Sequence, residues 1–228
     1  MQIIECGHSP AVRRFRQVLI TAMAVAGALA TMKLIQLATI PVYSFTLPVD
    51  QAIPFLPATI LIYLAFFPYL LLAAWHADPD QFKNYLCACS LAFVVAAGIF
   101  IILPASMNRP DPSLITNELL RQHITRLYGV DSGQCTFPSL HIAMTIMAMR
   151  VFGRRRPLAL MLGIFIGIST MIVKQHVLLD VVGGALLAFA VCVVQARLPR
   201  VRAAVLPPSG ELAPARARSP RQSEIADE

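Results

Sequence analysis

The sequence predicts an all-α membrane protein whose helices form a bundle of six transmembrane spans. Of its 228 residues, 57% are hydrophobic and only 14% are charged, whereas soluble proteins carry about 25% charged residues. The mean hydropathy is +0.67, and six apolar segments follow one another along the chain. At about 20 residues for each span, plus loops, a chain of this length holds about six spans.

The lengths of the apolar segments predict where the helices begin and end. The segments at 18–40, 55–75 and 84–104 can each cross a bilayer. The fourth, at 139–152, would be about 21 Å long as a helix, so it must begin or end inside the membrane, shielded by its neighbours. The fifth and sixth, at 157–173 and 176–196, form one long apolar run that needs a break. Its only polar interruption predicts the turn at Lys174-Gln175-His176.

The ends of the chain differ from this membrane domain in composition. Residues 1–17 have a mixed composition without a cleavable signal, and they predict a cytoplasmic N-terminal segment. Residues 18–197 form the predicted six-helix membrane domain. Residues 198–228 are rich in proline, arginine and serine, and they predict a disordered, basic cytoplasmic tail.

The distribution of basic residues predicts the orientation in the membrane. With both termini in the cytoplasm, fourteen of the 19 lysines and arginines lie on the cytoplasmic side and four outside, as the positive-inside rule requires. The net charge of +7 therefore indicates topology, and nucleic acid is not an expected partner. The same alternation of spans predicts that the polar candidates share the extracytoplasmic side: Arg109, Ser139, His141, Lys174, His176 and Asp180.

The five cysteines show neither disulfide nor zinc spacing. We expect all five to be unpaired. In the predicted topology, a membrane-impermeant thiol reagent should label Cys135 and leave Cys6 untouched.

Ionisable residues inside apolar segments are the main indication of function, because charge at membrane depth is costly. His176 and Asp180 are four residues apart and share one face of a helix. A carboxylate that fixes the tautomer of an imidazole supports a nucleophilic or acid–base histidine, although a purely structural pair is the alternative. Ser139 can cap the fourth helix, with His141 in its first turn, and a helix N-terminus favours an anion. Together with the cations Arg109 and Lys174, these residues suit a phosphate group.

These motifs resemble those of the type 2 phosphatidic acid phosphatase superfamily over roughly residues 45–195. That family carries an Arg-Pro motif, a Pro-Ser-Gly-His motif, and a Ser-Arg motif followed by a histidine and, four residues later, an aspartate. The corresponding residues of this chain are Arg109-Pro110, Pro138-Ser139-Leu140-His141, and Ser169-Thr170 followed by His176 and Asp180.

The resemblance implies a helical-bundle enzyme that acts on a lipid phosphate or phospholipid at the extracytoplasmic face. It implies that His176 attacks phosphorus to form phosphohistidine, that Asp180 orients His176, and that His141 protonates the leaving alcohol. It implies further that Arg109 and the amides near Ser139 hold the phosphoryl oxygens. Neither a metal nor another cofactor is implied.

The chain departs from the family pattern at three positions. Two family cations are replaced by Ile102 and Thr170, and a glycine by Leu140; Lys174 is the candidate substitute for one of the cations. This variant resembles the branch that includes inositol phosphorylceramide synthases, which transfer a phospho-headgroup to a lipid hydroxyl. Hydrolysis and headgroup transfer therefore both stay open, as does a non-catalytic membrane protein with a decayed site. The sequence leaves the oligomeric state open.

Overall fold

The computed structural model describes residues 9–153 and 156–205. The chain divides into two compact units, Met1–Gln195 and Ala196–Glu228, and the candidate site lies in the first. The described α-helices, in chain order, are α1 (Pro10–Ala38), α2 (Pro48–Ala52), α3 (Ile60–Leu64), α4 (Phe66–His76), α5 (Pro79–Ile102), α6 (Glu118–Val130), α7 (Leu140–Phe152), α8 (Pro157–Ile172) and α9 (Leu178–Val205). Proline is the first residue of four of them, at the N1 position, where a backbone N–H would have no partner within the helix.

All six predicted apolar segments are helical. Four stretches of the described chain are long and apolar enough to cross a membrane, namely Pro10–Ala38, Pro57–His76, Pro79–Ile102 and Leu178–Arg197. The fourth and fifth segments correspond to the shorter apolar helices α7 and α8, which have 13 and 16 residues. The all-α membrane fold is therefore confirmed, and a total of six spans stays a prediction.

The short helix α7 lies at the centre of the bundle. It packs against α4, α5 and α8, and its buried residues are Ile142, Ala143, Thr145, Met147, Ala148 and Phe152. A helix too short to cross the hydrocarbon core needs neighbours that satisfy and shield its ends. The predicted shielding of this segment is thus confirmed, and the N-terminus of α7 is held at one end of the bundle.

A turn at residues 173–177 separates α8 from α9, as the sequence predicts. The backbone N–H groups of Gln175 and His176 both donate to the carbonyl oxygen of Thr170, at 2.8 and 3.1 Å. Lys174 adopts a φ angle of 56°, a left-handed conformation that is uncommon for a residue other than glycine. The chain thereby reverses without a glycine or proline and presents His176 at the start of α9.

Gly183 and Gly184 allow α9 to approach the start of α7 closely, because neither residue carries a side chain. A Cβ atom on Gly184 would lie 2.3 Å from the carbonyl oxygen of Ser139, and one on Gly183 would lie 2.5 Å from Cε2 of Phe137. The backbone N–H of Ser139 donates to the carbonyl oxygen of Asp180 at 3.0 Å. These two helix starts, which carry the candidate site, therefore meet at backbone distance.

Replacing Gly184 with alanine is expected to destabilise the protein by about 1–3 kcal/mol, since a backbone oxygen cannot rotate out of the way. The midpoint of thermal unfolding in detergent micelles measures the effect. The matched control is Gly98→Ala in α5, where a Cβ atom meets no described atom within 4 Å and alanine favours the helix. If Gly184→Ala unfolds at the wild-type temperature, the close approach is wrong.

Three expectations need correction or restriction. The sequence predicts that 105–138, between the third and fourth apolar segments, is the longest loop, but the amphipathic helix α6 lies within it and buries Ile124. The last helix continues to Val205, beyond the predicted start of the tail at 198; residues 206–228 lie outside the described residues, as do 1–8 and 154–155. The four described cysteines are free, and Cys6 lies outside the described part. Cys135 is buried, and burial raises the pKa of its thiol; both effects disfavour its labelling from outside, which stays a prediction.

Candidate active site

His176 and Asp180 form a buried pair at the start of α9. His176 Nδ1 lies 3.4 Å from Asp180 Oδ2, and the two side chains are 8% and 0% exposed. The same carboxylate oxygen accepts the backbone N–H of Val177 at 3.1 Å, so Asp180 makes the returning bond of a capping box at the helix start. A carboxylate that accepts a hydrogen bond from Nδ1–H fixes the tautomer in which the lone pair of Nε2 is available as a nucleophile or base.

His141 lies in the first turn of α7, and its imidazole is next to that of His176. The two imidazole centroids are 5.6 Å apart with an interplanar angle of 60°. The rings of Tyr63 and Phe66 pack on His141 at centroid distances of 4.8 and 4.4 Å. Its Nε2 atom is buried and has no hydrogen-bond partner among the described residues. A buried polar atom of this kind needs an explanation, and a substrate oxygen at the site would provide one.

Ser139 is the N-cap of α7, as the sequence predicts. Its hydroxyl oxygen accepts the backbone N–H of Ile142 at 3.4 Å, and the residue is fully buried. The first turn of α7 therefore directs backbone N–H groups toward the end of the bundle where His141 and His176 lie. Such a helix start favours an anion.

Arg109 is brought to the site, but it is already engaged by protein groups. Its Nη2 donates to Gln175 Oε1 at 2.8 Å and lies 3.3 Å from Asp131 Oδ2, while Nη1 donates to the carbonyl oxygen of Asp131. The guanidinium also lies 4.8 Å from the ring centre of Tyr128. Arg109 is therefore held in place by protein groups, which its motif alone does not indicate.

Lys174 is the second cation near His176. Its ammonium donates to the carbonyl oxygens of Asp50 and Ile53 at 2.9 and 2.6 Å. Burial lowers the pKa of Lys174 from its ordinary value, and Asp50 opposes that shift. The two positions that hold cations in the family hold the uncharged residues Ile102 and Thr170 in this chain. Ile102 is 76% exposed at the end of α5, and Thr170 is buried in α8.

Two cavities meet at His176. The first, of about 490 Å³, is largely apolar; α1, α4 and α5 contribute aliphatic and aromatic side chains, and both His141 and His176 line it. The second, of about 430 Å³, is lined by His176 together with Arg109, Lys174 and Asp50. Here these are named the apolar cavity and the polar cavity. A molecule with a hydrocarbon chain and an anionic head could occupy both, with its head at the imidazole.

A family model provides the independent comparison. The model described as PAP2 superfamily matches residues 85–203, just over half of the chain. This chain belongs to the PAP2 superfamily. Members of the superfamily are in general phosphatases or phosphotransferases. The chain matches no curated protein and no solved structure in the same kind of comparison.

The match confirms the predicted superfamily, and the resemblance to inositol phosphorylceramide synthases stays a prediction. The matched range contains all of the predicted site residues, from Arg109 to Asp180. It leaves out α1–α4, which contribute the walls of the apolar cavity and Asp50. The walls of both cavities are therefore built partly from residues that precede the matched range. In the described part of the chain, no group of three or more His, Cys, Asp or Glu residues is arranged to hold a metal ion.

Asp50, which the sequence does not identify as a site residue, is buried and fixes the turn that carries His176. Its Oδ1 atom accepts the N–H of Leu178 at 2.8 Å, and its Oδ2 atom accepts the N–H of Leu47 at 2.7 Å. The backbone oxygen of Asp50 also binds Lys174. The available signal was an aspartate three residues after Leu47, the spacing of a helix cap, but no local pattern connects it to α9.

In this PAP2 protein, replacing Asp50 with alanine is expected to reduce stability by about 0.5–2 kcal/mol, the usual cost of a lost cap. It should also lower turnover, because the turn that positions His176 is released. Thermal unfolding and steady-state kinetics measure the two effects. Asp78→Ala is the matched control, since Asp78 caps α5 through Gln81 N–H at 2.8 Å and lies outside both cavities. Equal losses of turnover in the two variants would contradict a positioning role for Asp50.

Proposed function

We propose that this protein is a membrane enzyme that transfers the phosphoryl group of a lipid phosphate, or the phospho-headgroup of a phospholipid, by way of His176. One observation carries the proposal: a buried His176–Asp180 pair, with His141 beside it, lies where an apolar cavity meets a cavity lined by two cations. Such a junction suits a substrate with hydrocarbon tails and an anionic head. Membership of the superfamily supports the same class of substrate.

In the first step, the Nε2 lone pair of His176 attacks phosphorus, and the bond from phosphorus to the lipid oxygen breaks. Asp180 accepts a hydrogen bond from Nδ1–H of His176 and supports the positive charge that develops on the ring. His141, protonated at Nε2, gives that proton to the leaving oxygen, so that a neutral alcohol departs. Arg109, Lys174 and the amides after Ser139 are the proposed supports for the phosphoryl oxygens.

In the second step, an acceptor hydroxyl attacks the phosphorus of phosphohistidine, and the P–N bond breaks. The proton of the acceptor passes to His141, which restores the starting state of both histidines. Water as the acceptor gives hydrolysis, and a lipid alcohol gives headgroup transfer. Both steps are in-line displacements that rely on positioning and electrostatic support rather than on further covalent chemistry.

One observation favours a lipid alcohol as the acceptor. The acceptor must approach phosphorus from the side that the first alcohol left, which is the side of His141. His141 lines the apolar cavity, where hydrocarbon is accommodated better than water. Headgroup transfer is therefore the second candidate function beside hydrolysis. The orientation that the basic residues predict places this reaction at the extracytoplasmic face.

The test uses purified protein in mixed micelles with labelled phosphatidate, and separately with labelled phosphatidylinositol plus ceramide. Free phosphate from phosphatidate indicates hydrolysis, and a new labelled phospholipid in the second mixture indicates transfer. The His176→Ala variant gives the background in each assay. If the wild-type protein forms neither product above this background, the proposal is wrong and the decayed-site alternative is favoured.

A further inference from the structure

We infer that the side-chain amide of Gln175 is a hydrogen-bond donor to the transferring phosphoryl group, an assignment that rests on the proposed function. Gln175 directly precedes His176 in the turn between α8 and α9. It is 1% exposed, and its backbone N–H is fixed on the carbonyl oxygen of Thr170 at 2.8 Å. Its position relative to the imidazole of His176 is therefore set by the fold.

Arg109 determines which way the amide faces. Its Nη2 donates to the Oε1 atom of Gln175 at 2.8 Å. A guanidinium has donors and no acceptor, so only the oxygen of the amide can face it. The –NH₂ group must then point away from Arg109.

The –NH₂ group of Gln175 has no partner in the described part of the chain. Its Nε2 atom is buried, and the residue lines the apolar cavity together with His141 and His176. An unpaired donor in a buried site is costly. A hydrogen-bond donor that has no protein partner and lies beside a nucleophile is suited to bind an acceptor that arrives with the substrate.

A phosphoryl group matches this donor, because all of its free oxygens are hydrogen-bond acceptors. Arg109 is already paired with Asp131, so it reaches the substrate through Gln175, whose amide it both orients and polarises. The chain has Thr170 where its family has an arginine, and Thr170 uses its hydroxyl within α8 by donating to the carbonyl oxygen of Gly167 at 2.7 Å. Gln175 thus supplies a neutral donor close to where the family has a cation.

Two substitutions separate a donor to substrate from a residue that merely holds Arg109. Gln175→Glu keeps an oxygen for Arg109 but replaces the donor with a second acceptor. Gln175→Met removes both groups at similar length. With a lipid phosphate substrate, we expect kcat to fall on the order of 10²-fold in Gln175→Met, the usual effect of losing one oxyanion donor. It should fall further in Gln175→Glu, while KM changes by only a few fold in either variant.

Gln17→Met is the matched control for loss of a buried glutamine. Gln17 is 4% exposed, lies in α1 and lines a different cavity, so kcat should stay at the wild-type value. If Gln175 only holds Arg109, then Gln175→Glu retains wild-type kcat, and this result would overturn the assignment. Wild-type kcat in Gln175→Met would overturn it as well.

A binding measurement distinguishes failure of this inference from failure of the proposed function. Orthovanadate, an oxyanion that resembles phosphate, is titrated into wild-type, Gln175→Met and Gln175→Glu protein by calorimetry. We expect the wild-type protein to bind orthovanadate at least about 10-fold more tightly than either variant, as the loss of one charge-oriented donor predicts. If the wild type binds it but transfers no phosphate from any lipid, the proposed function fails while Gln175 stands. Equal affinities of the wild type and both variants for orthovanadate overturn the role of Gln175 and leave the proposed function untouched. A wild-type protein that neither binds orthovanadate nor transfers phosphate overturns both the role of Gln175 and the proposed function.

Discussion

Replacing His176 with alanine is expected to lower kcat by about 10⁴-fold or more, the scale on which loss of a nucleophile acts. The imidazole lies where both cavities meet, and no other described side chain has the same access to both. A rapid-quench experiment with a ³²P-labelled lipid phosphate measures the intermediate directly. Wild-type protein should carry label that withstands alkali and is lost in acid, as expected for a P–N bond, and His176→Ala should carry none.

The matched control is His123→Ala. His123 is a half-buried histidine of α6. Its Nδ1 atom lies 2.7 Å from the carbonyl oxygen of Leu119, and the residue lines neither cavity. This variant should be labelled like the wild type. Label that persists on His176→Ala protein, or label that is stable in acid, would exclude His176 as the phosphorylated residue.

Much of the fold could be predicted from the sequence because its signals are local. Apolar length gives the helices, and a run too long for one helix gives the turn at Lys174–His176. The cap at Ser139 follows from its residue type and its position before the fourth segment. The same locality places His176 and Asp180 on one helical face, since four residues make about one turn.

The surroundings of the pair could not be predicted, because they depend on contacts between distant parts of the chain. Asp50 reaches Leu178 across 128 positions, and Arg109 reaches Gln175 across 66. From its neighbours in sequence alone, Asp50 is explained as a helix cap and Arg109 as an arginine that sets the membrane topology. A hydrogen bond at such a separation leaves no periodic pattern in the sequence.

The partners of Arg109 cannot be predicted from its motif. The motif supplies the residue type and the side of the membrane, and the structure adds that the guanidinium is held by Asp131 and Gln175. A cation whose charge is already compensated acts on a substrate less by net charge than by the direction of the dipoles around it. The loss of family cations at Ile102 and Thr170 is therefore compatible with a working site, provided that oriented neutral donors remain.

The second large effect is expected for Asp180→Asn, which should lower kcat by about 10³–10⁴-fold while leaving the fold intact. Asp180 Oδ2 accepts from both His176 and the N–H of Val177. An asparagine oxygen can keep the bond to Val177, but its –NH₂ group then donates to Nδ1 of His176. That bond fixes the opposite tautomer, with the proton on Nε2, and removes the nucleophilic lone pair; the same change in serine proteases has an effect of this size.

Activity and stability should separate in this variant, which distinguishes orientation of His176 from a structural role. Asp180 is fully buried, and its Oδ1 atom has no partner among the described residues. Asparagine has nearly the same volume and keeps the bond to the N–H of Val177, and a neutral His176 is left with no unpaired charge, so the unfolding temperature should stay close to the wild-type value. Raising the pH should not restore turnover, because the defect is a tautomer and not a charge.

Asp111→Asn is the control, since Asp111 caps Ser113 N–H at 2.9 Å in the outer loop and asparagine can do the same. If Asp180→Asn keeps turnover within about 10-fold of the wild type, which is 1.4 kcal/mol of barrier, Asp180 does not set the tautomer, and the mechanism through His176 loses its main support.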